Sequence, residues 1–257
     1  MKKLSYLFIA VMVTTMLGGM CLACNASNKA KRNGKSVTRT QQVGYFSSVE
    51  IVGSADVHFV QGDSKAARIV GARKLTELID LEKSGNTLII RTKNSKDNFL
   101  YSGSDDVKVY LSSPDLVGVT VRGSGDFEAD SNIDTDNMKV SVIGSGDIDF
   151  KNIICDTFEA VTKGSGDIDA ASIDCKNATL AAYGSGDIEA SLKNTGNTTA
   201  SVFGSGDIDL KLNNCDNVAC YITGSGDIEL KGNANSVHKQ VKGSGDVDTS
   251  RLSVKGL

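Results

Sequence analysis

The sequence predicts an all-β protein, a single-stranded right-handed parallel β-helix with about 20 residues per coil and an irregular N-terminal β cap. Three observations predict this fold. The tetrapeptide Gly-Ser-Gly-Asp occurs seven times at steps of 19 to 21 residues, and apolar residues alternate with polar residues on both sides of each copy. A unit this short cannot bury its own apolar face, so the copies must stack. The right-handed sense follows the general chirality of parallel strand connections.

The motif marks the boundary between two strands of each coil. In one copy, Val140 and Val142 precede the motif, and Ile148 and Phe150 follow it. This period of two is typical of strands with one buried face, and a third extended piece, such as 153–155, comes before an Asn- or Asp-bearing turn. Propeller blades and helical-hairpin repeats need about 34–50 residues, so the period excludes them. The copies begin at Gly123, Gly144, Gly164, Gly184, Gly204, Gly224 and Gly243.

Composition excludes several other classes of protein. Gly is abundant at 27 residues, but it follows no collagen triplet and a single Pro accompanies it. The hydrophobic content of 40% supplies a core of ordinary size, which excludes a miniprotein held together by disulfides. The formal net charge of −3 argues against a nucleic-acid-binding protein, so we expect no nucleic-acid partner.

Residues 1–23 have the pattern of a secretory signal peptide. Two lysines precede an apolar run over 6–17 that is too short to span a bilayer permanently. We therefore expect an exported protein of the cell envelope, located in the periplasm or at the outer membrane and cell surface.

The signal ends at Cys-Leu-Ala-Cys, which resembles a bacterial lipobox. Cys24 is then the site of lipid attachment and the membrane is a partner. The alternative is ordinary signal peptidase cleavage after Ala23 or Ala26. Residues 24–42 are basic and hydrophilic, which predicts a flexible tether between the lipid and the folded body.

The body of the chain has two parts. Residues 43–114 carry strand-like runs without the complete motif, and they predict opening coils or a small antiparallel layer that caps the solenoid. Within them, 73–82 fit either a short helix or a strand. Residues 115–257 form the β-helix of repeats. Lys239 and Lys242 in the shortened last copy indicate that the C-terminal end is closed as well, because an open end exposes unpaired backbone.

Two acidic columns accompany the motif, and both point outward by alternation. Stacked coils place neighbouring acids about 4.8 Å apart, where like charges repel. We favour a corner in which the motif Asp accepts backbone hydrogen bonds and the glycines supply unusual φ values; the alternative is a Ca²⁺ site built from these oxygens. The calcium candidates are Asp126, Asp147, Asp167, Asp187, Asp207, Asp227 and Asp246. The corner glycines are Gly144, Gly164, Gly184, Gly204 and Gly224.

Cysteines and histidines of the body are interpreted as structural residues. We expect four free buried thiols, at Cys155, Cys175, Cys215 and Cys220. A disulfide between the stacked Cys155 and Cys175 is the alternative. His58 and His238 are isolated in the sequence, and we interpret them as surface or turn residues. Apart from Ca²⁺, no cofactor is expected.

The repeat and the segment before it resemble a known family. The stretches VGYFSSVEIVGSADVHFVQGD at 43–63 and SSPDLVGVTVRGSGDF at 112–127, with the repeated Gly-Ser-Gly-Asp-Ile-Asp/Glu, are similar to the head GIN domain family of auto-transporter adhesins in exported proteins of Bacteroidetes-type bacteria. The resemblance covers about 43–250. It implies a pectin-lyase-like β-helix without catalytic residues and a role in adhesion.

We therefore predict a non-catalytic cell-envelope protein that presents an elongated β-helix for adhesion or structural interaction. Its partner is an unidentified protein or glycan, and a second copy of the chain is another candidate. One alternative is a polysaccharide-active β-helix enzyme, which would need a local cluster of acids and bases in a groove, whereas the acids here follow the repeat. The other is a Ca²⁺-stabilised scaffold.

Overall fold

The chain forms a solenoid in which each coil lies on the previous one in parallel register. The computed structural model describes residues 36–93 and 107–255. Within the repeats, residues 20 apart are neighbours on adjacent strands: Phe158 pairs with Ala178, Ala178 with Thr198, and Thr198 with Val218. The predicted parallel β-solenoid with coils of roughly 20 residues is confirmed.

Each coil contains a strand segment before the motif, one after it, and a third that leads into the next coil. Strand β11 (Asn137–Gly144) precedes a motif and β12 (Ile148–Phe150) follows it. Strand β13 (Ile153–Gly164) contains a third segment and the following first segment in one element. Stacked first segments form the entry sheet, at 118–123, 137–144, 157–164, 177–184, 197–204, 217–224 and 236–243. Stacked second segments form the exit sheet, at 127–129, 148–150, 168–170, 188–190, 208–210 and 228–230.

The described residues contain 19 strands and one short helix. The strands of the opening part are β1 (Ser36–Gln42), β2 (Ser48–Gly53), β3 (Asp56–Gln61), β4 (Ala66–Ala72), β5 (Ile79–Ser84), β6 (Thr87–Thr92) and β7 (Lys108–Ser113), with helix α1 (Arg73–Thr76) between β4 and β5. The remaining strands of the repeats are β8 (Gly118–Gly123), β9 (Phe127–Ala129), β10 (Ile133–Asp134), β14 (Ile168–Gly184), β15 (Ile188–Lys193), β16 (Asn197–Gly204), β17 (Ile208–Gly224), β18 (Ile228–Gly243) and β19 (Val247–Val254).

Inward-facing side chains fill the solenoid with continuous apolar columns. The Phe59 and Phe127 rings stack with centroids 6.2 Å apart, and those of Phe127 and Phe150 lie 5.7 Å apart. Burial of one large apolar side chain contributes about 1.5–3 kcal/mol, so every added coil adds stability. The residue directly after each motif is at most 3% exposed; these residues are Phe127, Ile148, Ile168, Ile188, Ile208, Ile228 and Val247.

The opening part supplies both parallel coils and an antiparallel cap, in an order that differs from the chain order. Strands β2 and β3 lie between β6 and β7 on one side and β8 and β9 on the other, all in parallel. Strands β4 and β5 run antiparallel to β7 and β6, and β1 runs antiparallel to β4. The antiparallel strands thus pair with the outermost coil, whose edge would otherwise be exposed at this end.

The tether predicted for 24–42 differs from the structure at its C-terminal end. Ser36–Gln42 form β1, which pairs with β4 along its whole length. The side chains of Arg39 and Gln41 donate hydrogen bonds to backbone carbonyls of β5. A polar composition therefore does not make this piece a linker, because its polar groups bind backbone atoms.

The predicted signal peptide, residues 1–23, lies outside the described residues, as do Cys24 and the tether up to residue 35. Across 36–93 and 107–255, no helix combines the length and the apolar character that a membrane crossing requires.

Residues 73–82, which the sequence leaves open between helix and strand, contain both. Helix α1 is a single turn, and β5 begins three residues after it ends, at Ile79. The two elements follow each other so closely that neither hydrophobic period has room to develop.

A lysine closes the C-terminal end. Four residues before the motif, earlier coils carry a buried residue such as Cys220, but the last copy carries Lys239. Its Nζ donates hydrogen bonds to the Val247 carbonyl at 2.9 Å and to Thr249 Oγ1 at 2.7 Å. Segment 236–243 pairs with β17, whereas β19 pairs only with the earlier part of β18. An inward-facing charge on such an edge discourages pairing with a further strand.

At the motif corner, successive backbones approach so closely that a side chain cannot fit. The Gly184 carbonyl accepts hydrogen bonds from the N–H groups of Ser205, at 2.8 Å, and Gly206, at 3.1 Å. A Cβ atom on Gly206 would lie 2.2 Å from the Gly186 carbonyl oxygen. The first glycine of the motif has φ between +125° and +154° at Gly144, Gly164, Gly184, Gly204 and Gly224. The motif therefore needs glycine twice, for backbone conformation and for space.

We expect Gly206→Ala to lower the free energy of unfolding by more than about 3 kcal/mol, because its Cβ would overlap a carbonyl fixed by the stacked coils. Gly85→Ala is the matched control: Gly85 has a φ of +59° but no atom within 4 Å of the added Cβ, so the cost should be about 1 kcal/mol. Guanidinium unfolding measures both. Equal losses would contradict close approach as the reason for the motif.

Candidate functional site

The motif aspartates form a hydrogen-bonded ladder along one edge of the solenoid. At each of six steps, Oδ1 of one Asp accepts the backbone N–H of the Asp in the next coil, at 2.7–2.9 Å. The ladder starts at Asp56, whose Oδ1 lies 3.4 Å from the Asp126 backbone nitrogen. Hydrogen bonds to ionised groups are stronger than neutral ones, so they offset repulsion within the column. The ladder contains all seven candidates: Asp126, Asp147, Asp167, Asp187, Asp207, Asp227 and Asp246.

This geometry gives the motif aspartates a structural task, with the partner one coil away and not within the same turn. Across 36–93 and 107–255, the only group of three or more Asp, Glu, His or Cys side chains whose ligand atoms all lie within 4.8 Å of one another is outside this ladder. Ca²⁺ takes about six to eight oxygen ligands. The calcium hypothesis stays a prediction, and it depends on the carboxylate oxygens that the ladder does not use.

A groove of about 780 Å³ lies along the exit sheet. Lys151 and Lys231 stand at its two ends and form ion pairs with Glu128 and Glu229, at 3.6 and 2.8 Å. Smaller side chains, including Ala171, lie between the two lysines. The second acidic column forms its wall, at Glu128, Asp149, Asp169, Glu189 and Asp209.

Crowded negative charge at the centre of this groove changes the protonation of its own members. Burial, followed by repulsion from Glu128 and Asp147, raises the pKa of Asp149. Burial, followed by repulsion from Asp149 and Glu189, raises the pKa of Asp169. The folded chain therefore holds these protons to higher pH than the unfolded chain, and the ionised carboxylates reduce stability at neutral pH.

The entry sheet carries an uncharged aromatic patch over three consecutive coils. The rings of Tyr183 and Phe203, each 41% exposed, stack with centroids 4.8 Å apart and an interplanar angle of 8°. Charged side chains border the patch: Lys163 Nζ lies 5.5 Å from the Tyr183 ring centroid, and Lys139 pairs with Glu159 at 2.8 Å. The uncharged patch consists of the outward-facing residues Thr179, Ala181, Tyr183, Thr199, Ser201, Phe203, Ala219, Tyr221 and Thr223.

The four cysteines of the body are free and buried. Cys155 and Cys175 are register partners in adjacent coils, and Cys175 Sγ lies 3.8 Å from Thr195 Oγ1. Burial raises the pKa of Cys215, and it raises the pKa of Cys220 to about 12. These two thiols therefore stay protonated and unreactive at neutral pH.

The interpretation of His58 as an isolated residue is wrong. Its Nδ1 lies 3.4 Å from Glu128 Oε2 and 3.3 Å from Asp130 Oδ2, and its ring stacks on Tyr110 with centroids 5.1 Å apart. Glu128 is the direct register partner of His58 although it is 70 residues further along the chain. The available signal was the degenerate motif at 53–56, which places His58 in the second acidic column.

The comparison with protein families decides the classification. A family model described as "Putative auto-transporter adhesin, head GIN domain" matches residues 45–214 and 194–257. The chain belongs to the head GIN domain family. Because the match starts at residue 45, the GIN domain includes the opening coils as well as the motif repeats. No curated protein matches the chain.

Several solved structures share this GIN domain fold. A "putative adhesin" from Bacteroides fragilis is 26% identical, with a TM-score of 0.72, and the match covers 83% of this chain and 96% of that one. A "putative lipid binding protein" from Parabacteroides distasonis is 25% identical, with a TM-score of 0.67, and the match covers 84% and 96%. A "putative adhesin" from the same species, 20% identical with a TM-score of 0.69 and covering 84% and 97%, supports the fold alone.

We expect Asp187→Ala to reduce the free energy of unfolding by about 1–2 kcal/mol, because the Asp207 N–H loses its acceptor. Asp187→Asn keeps an acceptor oxygen and should lose less than half as much. Thermal melts of both variants and the parent, with Ca²⁺ and with a chelator, should show no effect of the metal. A rise in melting temperature with Ca²⁺ that Asp187→Asn abolishes would instead make the motif aspartates calcium ligands.

We expect Asp169→Asn to stabilise the protein by about 0.5–1 kcal/mol at pH 7 and low salt, because it removes a carboxylate whose pKa the fold raises. The wild-type carboxyl is protonated below its ordinary pKa, where folding is not penalised, and the penalty appears as pH rises through the raised pKa. The gain should therefore vanish below about pH 4. Asp63→Asn, at an exposed site in the β3–β4 loop, is the control; an equal gain there would contradict the explanation.

Proposed function

We propose that this GIN domain is a non-catalytic adhesion module of the cell envelope that binds a protein partner through the uncharged patch. The observation that carries the proposal is the patch itself. Its nine outward positions on three coils hold no charge and include three aromatic side chains, on a chain that is 23% charged. The centres of protein interfaces are depleted in charge and enriched in aromatic residues.

The arrangement of the rings favours a protein partner over a glycan. Tyr183 and Phe203 stack face to face, and Lys163 lies over the Tyr183 ring from the side of the preceding coil. Faces that are covered in this way are not free to stack on a sugar ring. Their edges, together with the hydroxyl groups of Thr and Ser in the patch, suit a protein surface, because Tyr and Ser supply contacts at a low cost in side-chain entropy.

Attachment to a membrane through Cys24 is part of the proposal. The signal peptide and the lipobox-like sequence support it, and so does the adhesin description of the family. Lipid attachment would hold the domain at the envelope while the solenoid presents its sheets outward. The relative described as lipid-binding makes a lipid surface a second probe for the patch.

The polysaccharide-active enzyme stays as the alternative, since the exit sheet has a groove with both acids and lysines. Asp149 and Asp169 would be its acid and base, because the pKa of each is raised. We favour adhesion because these acids repeat in every coil, and because Lys151 and Lys231 are already ion-paired. Polysaccharide cleavage that Asp149→Asn and Asp169→Asn abolish would favour the enzyme.

The test compares beads coated with the protein against beads coated with the double variant Tyr183→Ser, Phe203→Ser. Adhesion to immobilised matrix proteins, mucin, a glycan array, lipid vesicles and the protein itself is measured. We expect binding to at least one protein probe that the double variant reduces at least tenfold, because two central aromatic contacts are lost.

The matched control is Tyr45→Ser, which removes an aromatic side chain that is 45% exposed but lies outside the patch. It should leave adhesion unchanged. Equal losses in both variants, or binding that the double variant does not affect, would contradict the proposed surface. Patch-dependent binding only to the glycan array, to vesicles or to the protein itself would replace the protein partner by that ligand.

A further inference from the structure

We propose that His58, Glu128 and Asp130 form a zinc site that joins the opening coil to the first motif repeat. His58 belongs to β3, whereas Glu128 belongs to β9 and Asp130 follows it directly. A metal held by these three side chains would therefore connect two coils that are distant in sequence. Nothing in the adhesion proposal depends on this site.

The distances fit a tetrahedral ion. Zn²⁺ binds histidine nitrogen and carboxylate oxygen at about 2.0–2.2 Å, which corresponds to about 3.3–3.5 Å between neighbouring ligand atoms of a tetrahedron. Nδ1 of His58 lies 3.4 Å from Glu128 Oε2 and 3.3 Å from Asp130 Oδ2. These separations are long for charge-assisted hydrogen bonds, which lie near 2.7–2.9 Å. All three ligand atoms lie within 4.8 Å of one another.

The surroundings supply an outer shell. Lys151 Nζ lies 3.6 Å from both Glu128 Oε1 and Asp130 Oδ1, the oxygens that face away from His58. It thereby neutralises charge and orients the carboxylates, while Oε2 and Oδ2 stay directed at Nδ1. The Tyr110 ring stacks on the imidazole and fixes its plane. Groups that orient metal ligands in this way commonly determine affinity by factors of about 10–100.

One neighbour opposes the metal, and this makes the site tunable. Lys108 Nζ lies 3.2 Å from His58 Nε2, so it donates a hydrogen bond to that nitrogen. An imidazole that binds metal through Nδ1 carries its proton on Nε2, where the ammonium group would repel it. Lys108 is exposed, so its head can swing into solvent when the ion binds. An amide oxygen at this position would instead accept the Nε2 proton.

The ligand set selects among metals. One nitrogen and two carboxylates suit Zn²⁺, whereas Ca²⁺ and Mg²⁺ prefer oxygen ligands alone and in larger number. Three protein ligands leave a fourth position of the tetrahedron for water. We therefore expect Zn²⁺, with Co²⁺ as a spectroscopic substitute, and not the alkaline-earth ions.

The experiment titrates the metal-free protein with Zn²⁺ in competition with a chromophoric chelator. We expect one zinc per chain, with an affinity that His58→Gln and Glu128→Gln each reduce at least tenfold and that Lys108→Gln raises at least threefold. Only binding that His58→Gln removes counts, because cysteines elsewhere in the chain also bind zinc. His238→Gln, at the other histidine of the body, is the control and should change nothing.

A second measurement guards against variants that fold poorly. Zn²⁺ should raise the melting temperature of the parent by mass action on the native state, Mg²⁺ at the same concentration should not, and Co²⁺ should give the visible spectrum of a tetrahedral ion. Zinc binding that His58→Gln leaves intact would overturn the proposal. So would a Lys108→Gln variant with weaker binding, or no stabilisation by Zn²⁺ at saturating concentrations.

Discussion

The close approach of backbones at the Gly-Ser-Gly-Asp corner is the constraint on which the rest of the structure depends. At every corner a glycine carbonyl accepts two N–H groups of the next coil, and the Asp side chain accepts a third. These three contacts leave one possible register between coils. Once the register is set, the apolar columns align inside and the outward columns align outside. A motif that looks like a ligand site in the sequence is thus primarily the joint of the solenoid.

The sequence predicts those parts of the molecule in which one coil repeats the next. The period gave the solenoid, and the alternation around Gly144 gave its buried face. What the sequence could not give lies where the repeat breaks. His58 and Glu128 become register partners only because β2 and β3 lie between β6–β7 and β8–β9, an order that differs from the chain order. Likewise, Ser36–Gln42 form a strand because β4 offers an edge, and composition does not report such an edge.

Repetition also separates tasks between the two sheets. Each coil gives the exit sheet an acid, and the accumulated charge raises the pKa of Asp149 and Asp169. The entry sheet has no such obligation, because its outward positions vary freely between Lys163, Tyr183 and Phe203. A sheet whose outward residues are unconstrained by the corner can acquire a recognition surface without disturbing the fold. The uncharged patch lies on that sheet.

Lys239 gives the solenoid a defined stop, and the antiparallel strands give it a defined start. Between these two ends, the coils are interchangeable units. A gene that duplicates or deletes one unit would change the length of the body by about 4.8 Å and would leave both ends as they were. Evolution can therefore adjust the reach of this domain in whole coils, as one adjusts a telescoping rod, while the molecule stays a single closed particle.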